Sequence, residues 1–156
     1  MDQGRREALK KGSGITAMGL LLAAGFLKSG DVAAADWNST AFDTKSLADT
    51  LKALGGESSV ESKDITMTAP DIAESGAAVP IGVTSNIPKT ESIAILIEKN
   101  PSMLAAVFDI PQGTEPTVST RMKMGQTSNV YALIKADGKF YTAMREIKVT
   151  LGGCGG

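Results

Sequence analysis

The chain has 156 residues, a formal net charge of −1, one cysteine and no histidine. Without histidine it cannot form a Ser-His-Asp triad, a Cys-His pair or an imidazole metal site. A single cysteine excludes an internal disulfide, a C-x-x-C redox pair and a thiolate-rich zinc site. The near-neutral charge gives no basic surface of the kind that binds nucleic acid. We therefore expect no metal, no bound cofactor and no catalytic residue of these classes.

Residues 1–35 have the composition of an export signal. A basic head that contains Arg5 and Arg6 precedes an uncharged run over residues 12–27, and Ala33, Ala34 and Ala35 follow. A helix over that run would span about 24 Å, which is shorter than the hydrocarbon core of a bilayer. The paired arginines resemble a twin-arginine signal, and the alanines suit a signal peptidase. The sequence predicts a Tat-like signal peptide, a periplasmic mature protein and no stable membrane insertion after cleavage. The alternative is an amphipathic N-terminal anchor that is never cleaved.

Residues 36–58 are predicted to form an N-terminal helical segment. Leu47, Leu51 and Leu54 recur at helical spacing, and Gly55 and Gly56 can end the helix. The leucine stripe could dock a partner, but packing against the chain's own core is the favoured interpretation.

From residue 59 to residue 151 the pattern becomes that of short strands separated by turns. Seven runs carry β-type patterns: 65–69, 79–84, 93–98, 104–110, 118–124, 130–135 and 140–151. Asp137-Gly138, between the last two runs, indicates a hairpin. The sequence therefore predicts an all-β, two-sheet sandwich of about seven strands, preceded by a short amphipathic helix.

The C-terminus carries the candidate chemistry, because the chain's one cysteine lies there. Cys154 is flanked by Gly152 and Gly153 on one side and by Gly155 and Gly156 on the other. Glycine loses more conformational entropy on ordering than any other residue, so residues 152–156 are predicted to be a flexible arm. An unperturbed thiol has a pKa near 8.5, and no lysine or arginine lies within the arm to activate it. This pattern favours a group carried on the sulfur over a self-acting catalyst. An incidental tail thiol and a disulfide between two chains remain as alternatives.

Three segments resemble the SoxY family. They are the terminal GGCGG of residues 152–156, the stretch APDIAESGAAVP of residues 69–80, and the turn EKNP of residues 98–101. The Tat-like signal and the Lys148-Val149-Thr150 run also fit that family.

The resemblance implies an immunoglobulin-like sandwich and a role in periplasmic thiosulfate oxidation. By that resemblance Cys154 is the covalent attachment site for sulfur intermediates, and its four neighbouring glycines let the arm enter other enzymes. The implied partners are SoxZ as the second subunit of a heterodimer, the cytochrome SoxAX, the hydrolase SoxB and, where present, the sulfur dehydrogenase SoxCD. The chain itself would catalyse no step.

Two other function classes are compatible with parts of the sequence. Thiocarboxylate sulfur carriers also end in Gly-Gly, as Gly155 and Gly156 do here, but they are cytosolic and have a β-grasp fold. A plain interaction sandwich with an idle tail is the other class.

Three further patterns have both a structural and a functional interpretation. Residues 72–80 could be a partner-binding loop or a connection between strands. A set of methionines could form an interface but is more often core filler: Met67, Met103, Met122, Met124 and Met144. An acidic set is interpreted as a solvated face: Glu57, Glu61, Asp64, Asp71 and Glu74.

Overall fold

The structure, a computed structural model, describes residues 38–150. The predicted export signal and the predicted arm lie outside these residues, as do the domain boundaries at residues 35 and 151. Within residues 38–150, no helix is long and apolar enough to cross a bilayer.

Two short helices open the described chain, α1 at Ser39–Phe42 and α2 at Leu47–Ala53. The side chain of Ser46 caps α2 by accepting a hydrogen bond from the Asp49 N–H at 3.1 Å. The chain leaves α2 through Gly55, whose φ of +86° lies in the left-handed region that favours glycine. The helix predicted from the leucine spacing is confirmed, whereas α1 is too short to leave a periodic pattern.

Nine strands follow within the described residues. They are β1 at Ser59–Glu61, β2 at Ile65–Thr68, β3 at Ile72–Ala73, β4 at Val79–Ser85, β5 at Thr90–Ile97, β6 at Leu104–Asp109, β7 at Thr117–Met122, β8 at Ser128–Ala136 and β9 at Lys139–Val149. The seven predicted runs correspond to β2 and to β4 through β9. The two additions, β1 and β3, have three and two residues and pair in parallel with β9. Such short strands carry no period that a sequence pattern could reveal.

The strands form two sheets. The larger has the order β1-β9-β8-β5-β6, with β3 also paired to β9, and the smaller has the order β2-β4-β7. Alternate side chains of the two sheets meet in a core that includes Ile81 and Val83 from β4, Ile93 and Ile95 from β5, and Ile134 from β8. This arrangement confirms the two-sheet, immunoglobulin-like sandwich.

The helices cover the other face of the larger sheet. Leu51 packs with Leu96, Leu133 and Phe140 in a second buried cluster, to which Leu47 and Leu54 also contribute. Because β5 and β8 are covered on both faces, their central residues form continuous apolar runs instead of alternating with polar ones. The leucine stripe of α2 therefore packs against the chain's own core, as expected.

The last two strands are joined by the predicted hairpin. Asp137 and Gly138 have φ values of +49° and +71°, the left-handed pair that a two-residue hairpin turn requires. The turn leads into β9, the longest described strand, which ends at Val149. The C-terminal segment therefore follows directly after β9.

Candidate functional site

The predicted attachment residue Cys154 and the arm glycines Gly152, Gly153, Gly155 and Gly156 lie outside the described residues. The structure instead shows how the chain is held immediately before them. We call the residues that hold the end of β9 the arm base: residues 72–74, Thr127 and residues 148–150.

One side of the arm base is the short strand β3. It pairs in parallel with the end of β9, Ile72 beside Lys148 and Ala73 beside Val149. The Thr150 N–H donates to the Ala73 carbonyl at 3.0 Å. The Thr150 hydroxyl lies 3.4 Å from the same carbonyl oxygen and 3.3 Å from that of Glu74. The chain is therefore hydrogen-bonded as far as the last described residue.

The opposite side of the arm base is a single hydroxyl. The Val149 N–H donates to Thr127 Oγ1 at 3.0 Å, and the same oxygen lies 3.5 Å from the Val149 carbonyl oxygen. Backbone pairing between β8 and β9 reaches Ser128 and Ile147. The Thr127 side chain extends that hydrogen bonding from Ile147 to Val149. Val149 is therefore held on the edge that faces β8, and Thr150 on the edge that faces β3.

The segment after β3 is fixed by a close approach at Gly76. The Met124 N–H donates to the Gly76 carbonyl at 2.7 Å. A Cβ at residue 76 would clash with the Met124 carbonyl oxygen and would lie 3.0 Å from Val149 Cγ1. Glycine is therefore required at this position for β3 to stay beside β9.

The turn after β5 fixes the loop that carries Met124 and Thr127. The Asn100 side chain donates to the Lys123 carbonyl at 2.8 Å and accepts from the Gly125 N–H at 3.2 Å. The Lys99 N–H donates to the Ser128 hydroxyl at 3.0 Å. This turn thus determines where Thr127 stands relative to β9.

An ion pair joins β9 to the segment before β3. Arg145 Nη2 lies 2.7 Å from Asp71 Oδ1, and its Nη1 donates to the Met67 carbonyl at 3.4 Å. The Asp71 side chain is 85% exposed, so solvent screens the attraction and the contact serves mainly to orient residues 67–71.

Two segments singled out in the sequence therefore converge on the end of β9. Residues 69–80 supply β3, Asp71 and Gly76, and residues 98–101 supply Asn100. Sequence reasoning missed Thr127 and Arg145, since an isolated threonine and an isolated arginine carry no motif. Thr127 has a role only because it lies beside Val149, and Arg145 only because Asp71 lies beside it.

The described residues contain no group of His, Cys, Asp or Glu side chains that could hold a metal ion. A depression of about 640 Å³ lies at the smaller sheet, against parts of β4 and β7 and residues 68–70. It is lined by uncharged residues such as Thr68, Gly82 and Thr84. The described residues thus form an anchored strand end.

Comparison with known proteins gives this geometry a family. The profile of the family described as "Sulfur oxidation protein SoxY" matches residues 51–154. The chain belongs to the SoxY family. The match spans the sandwich and the arm base and ends at Cys154.

A solved structure agrees with that assignment. The structure of the sulfur carrier protein SoxY from Chlorobium limicola f thiosulfatophilum is 42% identical, with a TM-score of 0.62 over 67% of this chain and 96% of that one. A superoxide reductase (neelaredoxin) from Ignicoccus hospitalis shows 18% identity and a TM-score of 0.46 over 55% of this chain and 80% of that one, too distant to bear on function. No curated protein sequence matches the chain significantly.

The remaining patterns can be placed on this SoxY-family chain. Met103 and Met124 are buried and Met67 and Met122 half-buried, which agrees with core packing, but Met144 is exposed. All five residues of the acidic set are exposed, as expected of a solvated face. Residues 72–80 begin with β3 and connect it to β4, so the strand connection is present.

Proposed function

We propose that this chain is a sulfur carrier in thiosulfate oxidation, and that the Cys154 thiol on a flexible C-terminal arm is the covalent attachment site. The observation that carries the proposal is the SoxY family match, which extends through the sandwich to Cys154. The solved structure of a protein described as a sulfur carrier, at 42% identity, supports it. The arm base adds a physical reason, because an arm that swings needs a fixed point from which to swing.

The loading step joins Cys154 Sγ to the sulfane sulfur of thiosulfate. The thiol loses its proton, a sulfur–sulfur bond forms, and two electrons leave to an external acceptor. The product is a cysteine S-thiosulfonate. Attack of water on the terminal sulfone then releases sulfate and leaves a persulfide on Cys154, with no net transfer of electrons.

The chemistry of these steps is assigned to partners. Following the SoxY-family resemblance, SoxZ forms the heterodimer, the cytochrome SoxAX accepts the electrons of the loading step, SoxB catalyses the hydrolysis, and SoxCD oxidises the remaining sulfane sulfur where it is present. In this proposal the chain itself catalyses no step. Tethering the intermediate keeps it at a high effective concentration at each successive active site.

We place the mature protein in the periplasm, after cleavage of a Tat-like signal within residues 1–35. The basic head, the uncharged run and the three alanines support that location.

Replacing the sulfur tests the proposal. In the reconstituted system, Cys154→Ser should reduce thiosulfate-dependent electron transfer to background and leave thermal unfolding unchanged, because oxygen cannot form the disulfide-like bond. A matched control moves the thiol: Cys154→Ser with Ser119→Cys puts an alkylatable sulfur on an exposed residue of β7, and it should also be inactive. Normal turnover of Cys154→Ser would refute the carrier role.

Intact mass spectrometry of protein from its native compartment separates the alternatives. A sulfur adduct that reduction removes and that maps to Cys154 is the expected result. Sulfur in place of oxygen at the Gly156 carboxylate would indicate a thiocarboxylate carrier instead. Full function after deletion of residues 152–156 would indicate an interaction module with an idle tail.

A further inference from the structure

The end of β9 changes abruptly in burial over three residues. Ile147 is fully buried in the core between the sheets, and it is the last residue of β9 that pairs with β8. Beyond it, Lys148 and Thr150 are exposed and Val149 is half-buried. We call residues 148–150 the terminal stretch. Hydrogen bonds therefore hold most of the terminal stretch in place, and burial contributes little.

Every backbone N–H of the terminal stretch has an acceptor. The Lys148 N–H donates to the Asp71 carbonyl at 2.9 Å, in addition to the bonds that Val149 and Thr150 make to the two sides of the arm base. Segments that are held by hydrogen bonds near the surface and that make few buried apolar contacts open locally, without unfolding of the whole domain. The terminal stretch has both properties.

The partners of the terminal stretch are fixed by contacts that do not involve it. On one side, Arg145 pairs with Asp71 ahead of β3, and the carbonyl of Gly76 is hydrogen-bonded behind β3. On the other side, the Asn100 side chain holds the loop that leads to Thr127. The terminal stretch can therefore leave its two neighbours and return to them while both keep their positions.

We propose that the terminal stretch opens and closes as a unit in the native protein, and that this gives the arm two working lengths. Cys154 lies four residues beyond Thr150 and seven beyond Ile147. Its Cα can therefore reach about 14 Å from Thr150 when the stretch is closed, and about 24 Å from Ile147 when it is open. The opening itself does not depend on what Cys154 carries, whereas its use in transfer rests on the proposed function.

The two lengths serve different needs of a carrier. The closed, shorter arm keeps the thiol at a higher effective concentration near the body. The open, longer arm reaches an active site that lies deeper in a channel. An enzyme that needs the longer arm reacts only with the open fraction of the carrier, so its rate is proportional to that fraction. The buried side chain of Ile147 sets the limit of the opening.

Amide hydrogen exchange of the full mature chain, in its complex with the partner subunit, tests the opening. After correction for intrinsic rates, the amides of Lys148, Val149 and Thr150 should share one opening and exchange at least about 100-fold faster than the amide of Ile147. Low urea should leave these three rates unchanged, because the opening exposes little surface, and should speed exchange at Ile147. Exchange of the three amides at the rate of Ile147, or through three separate openings, overturns the proposal.

A substitution at Lys148 shifts the balance toward the closed stretch and leaves Cys154 unchanged. Lys148 is the direct parallel partner of Ile72, which is 57% exposed, so Lys148→Ile places two apolar side chains next to each other. Lys148→Gln is the matched control, since it removes the same charge without adding that contact. We expect exchange at Thr150 to slow about two- to fivefold in Lys148→Ile and to stay close to the wild-type rate in Lys148→Gln.

Turnover of these variants in the reconstituted system tests the longer length. At limiting carrier concentration, thiosulfate-dependent electron transfer should slow in Lys148→Ile by the same factor as the exchange, and Lys148→Gln should match the wild type. Insertion of three glycines between Leu151 and Gly152 lengthens the arm by about 10 Å and should restore the rate of Lys148→Ile. An unchanged rate in Lys148→Ile, or a lowered rate that the insertion does not restore, overturns the inference of two lengths.

The failure of this inference is distinguishable from failure of the carrier role. If Cys154→Ser is inactive while Lys148→Ile turns over as the wild type does, only the longer length is wrong. If Cys154→Ser is active, the carrier role itself is wrong, and the exchange measurement still decides whether the terminal stretch opens.

Discussion

At the scale of single residues, one hydroxyl holds one of the two edges of the chain where β9 ends. Thr127 Oγ1 accepts the Val149 N–H at 3.0 Å, beyond the last backbone pair between β8 and β9. If this bond is lost, only the pairing with β3 holds the chain beyond Ile147, which is fully buried. Fraying of residues 148–150 would lengthen the proposed arm by about 10 Å and would lower the effective concentration of Cys154 at a docked active site.

We predict that Thr127→Val speeds amide hydrogen exchange at Val149 about five- to tenfold, since a net hydrogen bond contributes about 1 kcal/mol. Thr127→Ser keeps the hydroxyl and should restore slow exchange. Thr66→Val, at an exposed position of β2, is the control for a general effect of the Thr-to-Val change. Slow exchange at Val149 in Thr127→Val would show that the hydroxyl does not hold the strand end.

Gly76 gives a second prediction at this scale. Gly76→Ala forces a Cβ against the Met124 carbonyl and should lower the free energy of unfolding by about 1–3 kcal/mol. Gly125→Ala is the matched control, because a Cβ there meets nothing within 4 Å. Urea denaturation of the two variants measures the difference. Equal midpoints would mean that the loop moves aside at no cost.

At the scale of elements, α2 acts as a cover for the larger sheet. Leu51 is 4% exposed and packs on Phe140 of β9 and Leu133 of β8. This contact lies near the start of β9, whereas the arm base lies at the other end of the strand. The element therefore stabilises the sandwich without contributing a residue to the arm base.

We predict that Leu51→Ala lowers the free energy of unfolding by about 2–5 kcal/mol, through lost burial and the cavity left behind. At temperatures where the variant stays folded, the KM and kcat for the carrier should match those of the wild type. Lys52→Ala, the next residue and exposed, should change stability by less than about 0.5 kcal/mol. A raised KM in folded Leu51→Ala would show that α2 contributes to the interaction with the enzymes.

The strand β3 shows how an element of two residues can matter. It buries little, but its pairing with Lys148 and Val149 brings Ile72 to the base of the arm and supplies the carbonyl that holds Thr150. Arg145 and Gly76 hold the flanking segments in place. The family segment at residues 69–80 thus has a structural explanation, because it fastens the end of β9.

At the scale of the whole molecule, the residues that stabilise the sandwich are different from those that hold the end of β9. The two buried clusters lie between the sheets and under the helices. The strand ends that carry the arm base gather near the end of β9, where the turn at Asn100 and the loop at Thr127 meet residues 72–76. The proposed carrier role requires such a rigid body, since each enzyme can then approach the same surface.

The amino-acid sequence by itself determined the helix α2, the seven longer strands, the hairpin at Asp137-Gly138 and the family. Each of these depends on local signals: a period of 3.6 or 2, a turn dipeptide, or a motif read along the chain. Only the tertiary structure decided that β1 and β3 add to β9, that Thr127 holds the end of β9, and that Arg145 joins β9 to residues 67–71. The physical reason is that these relations join residues far apart in the chain, through register and side-chain direction, which no local pattern contains.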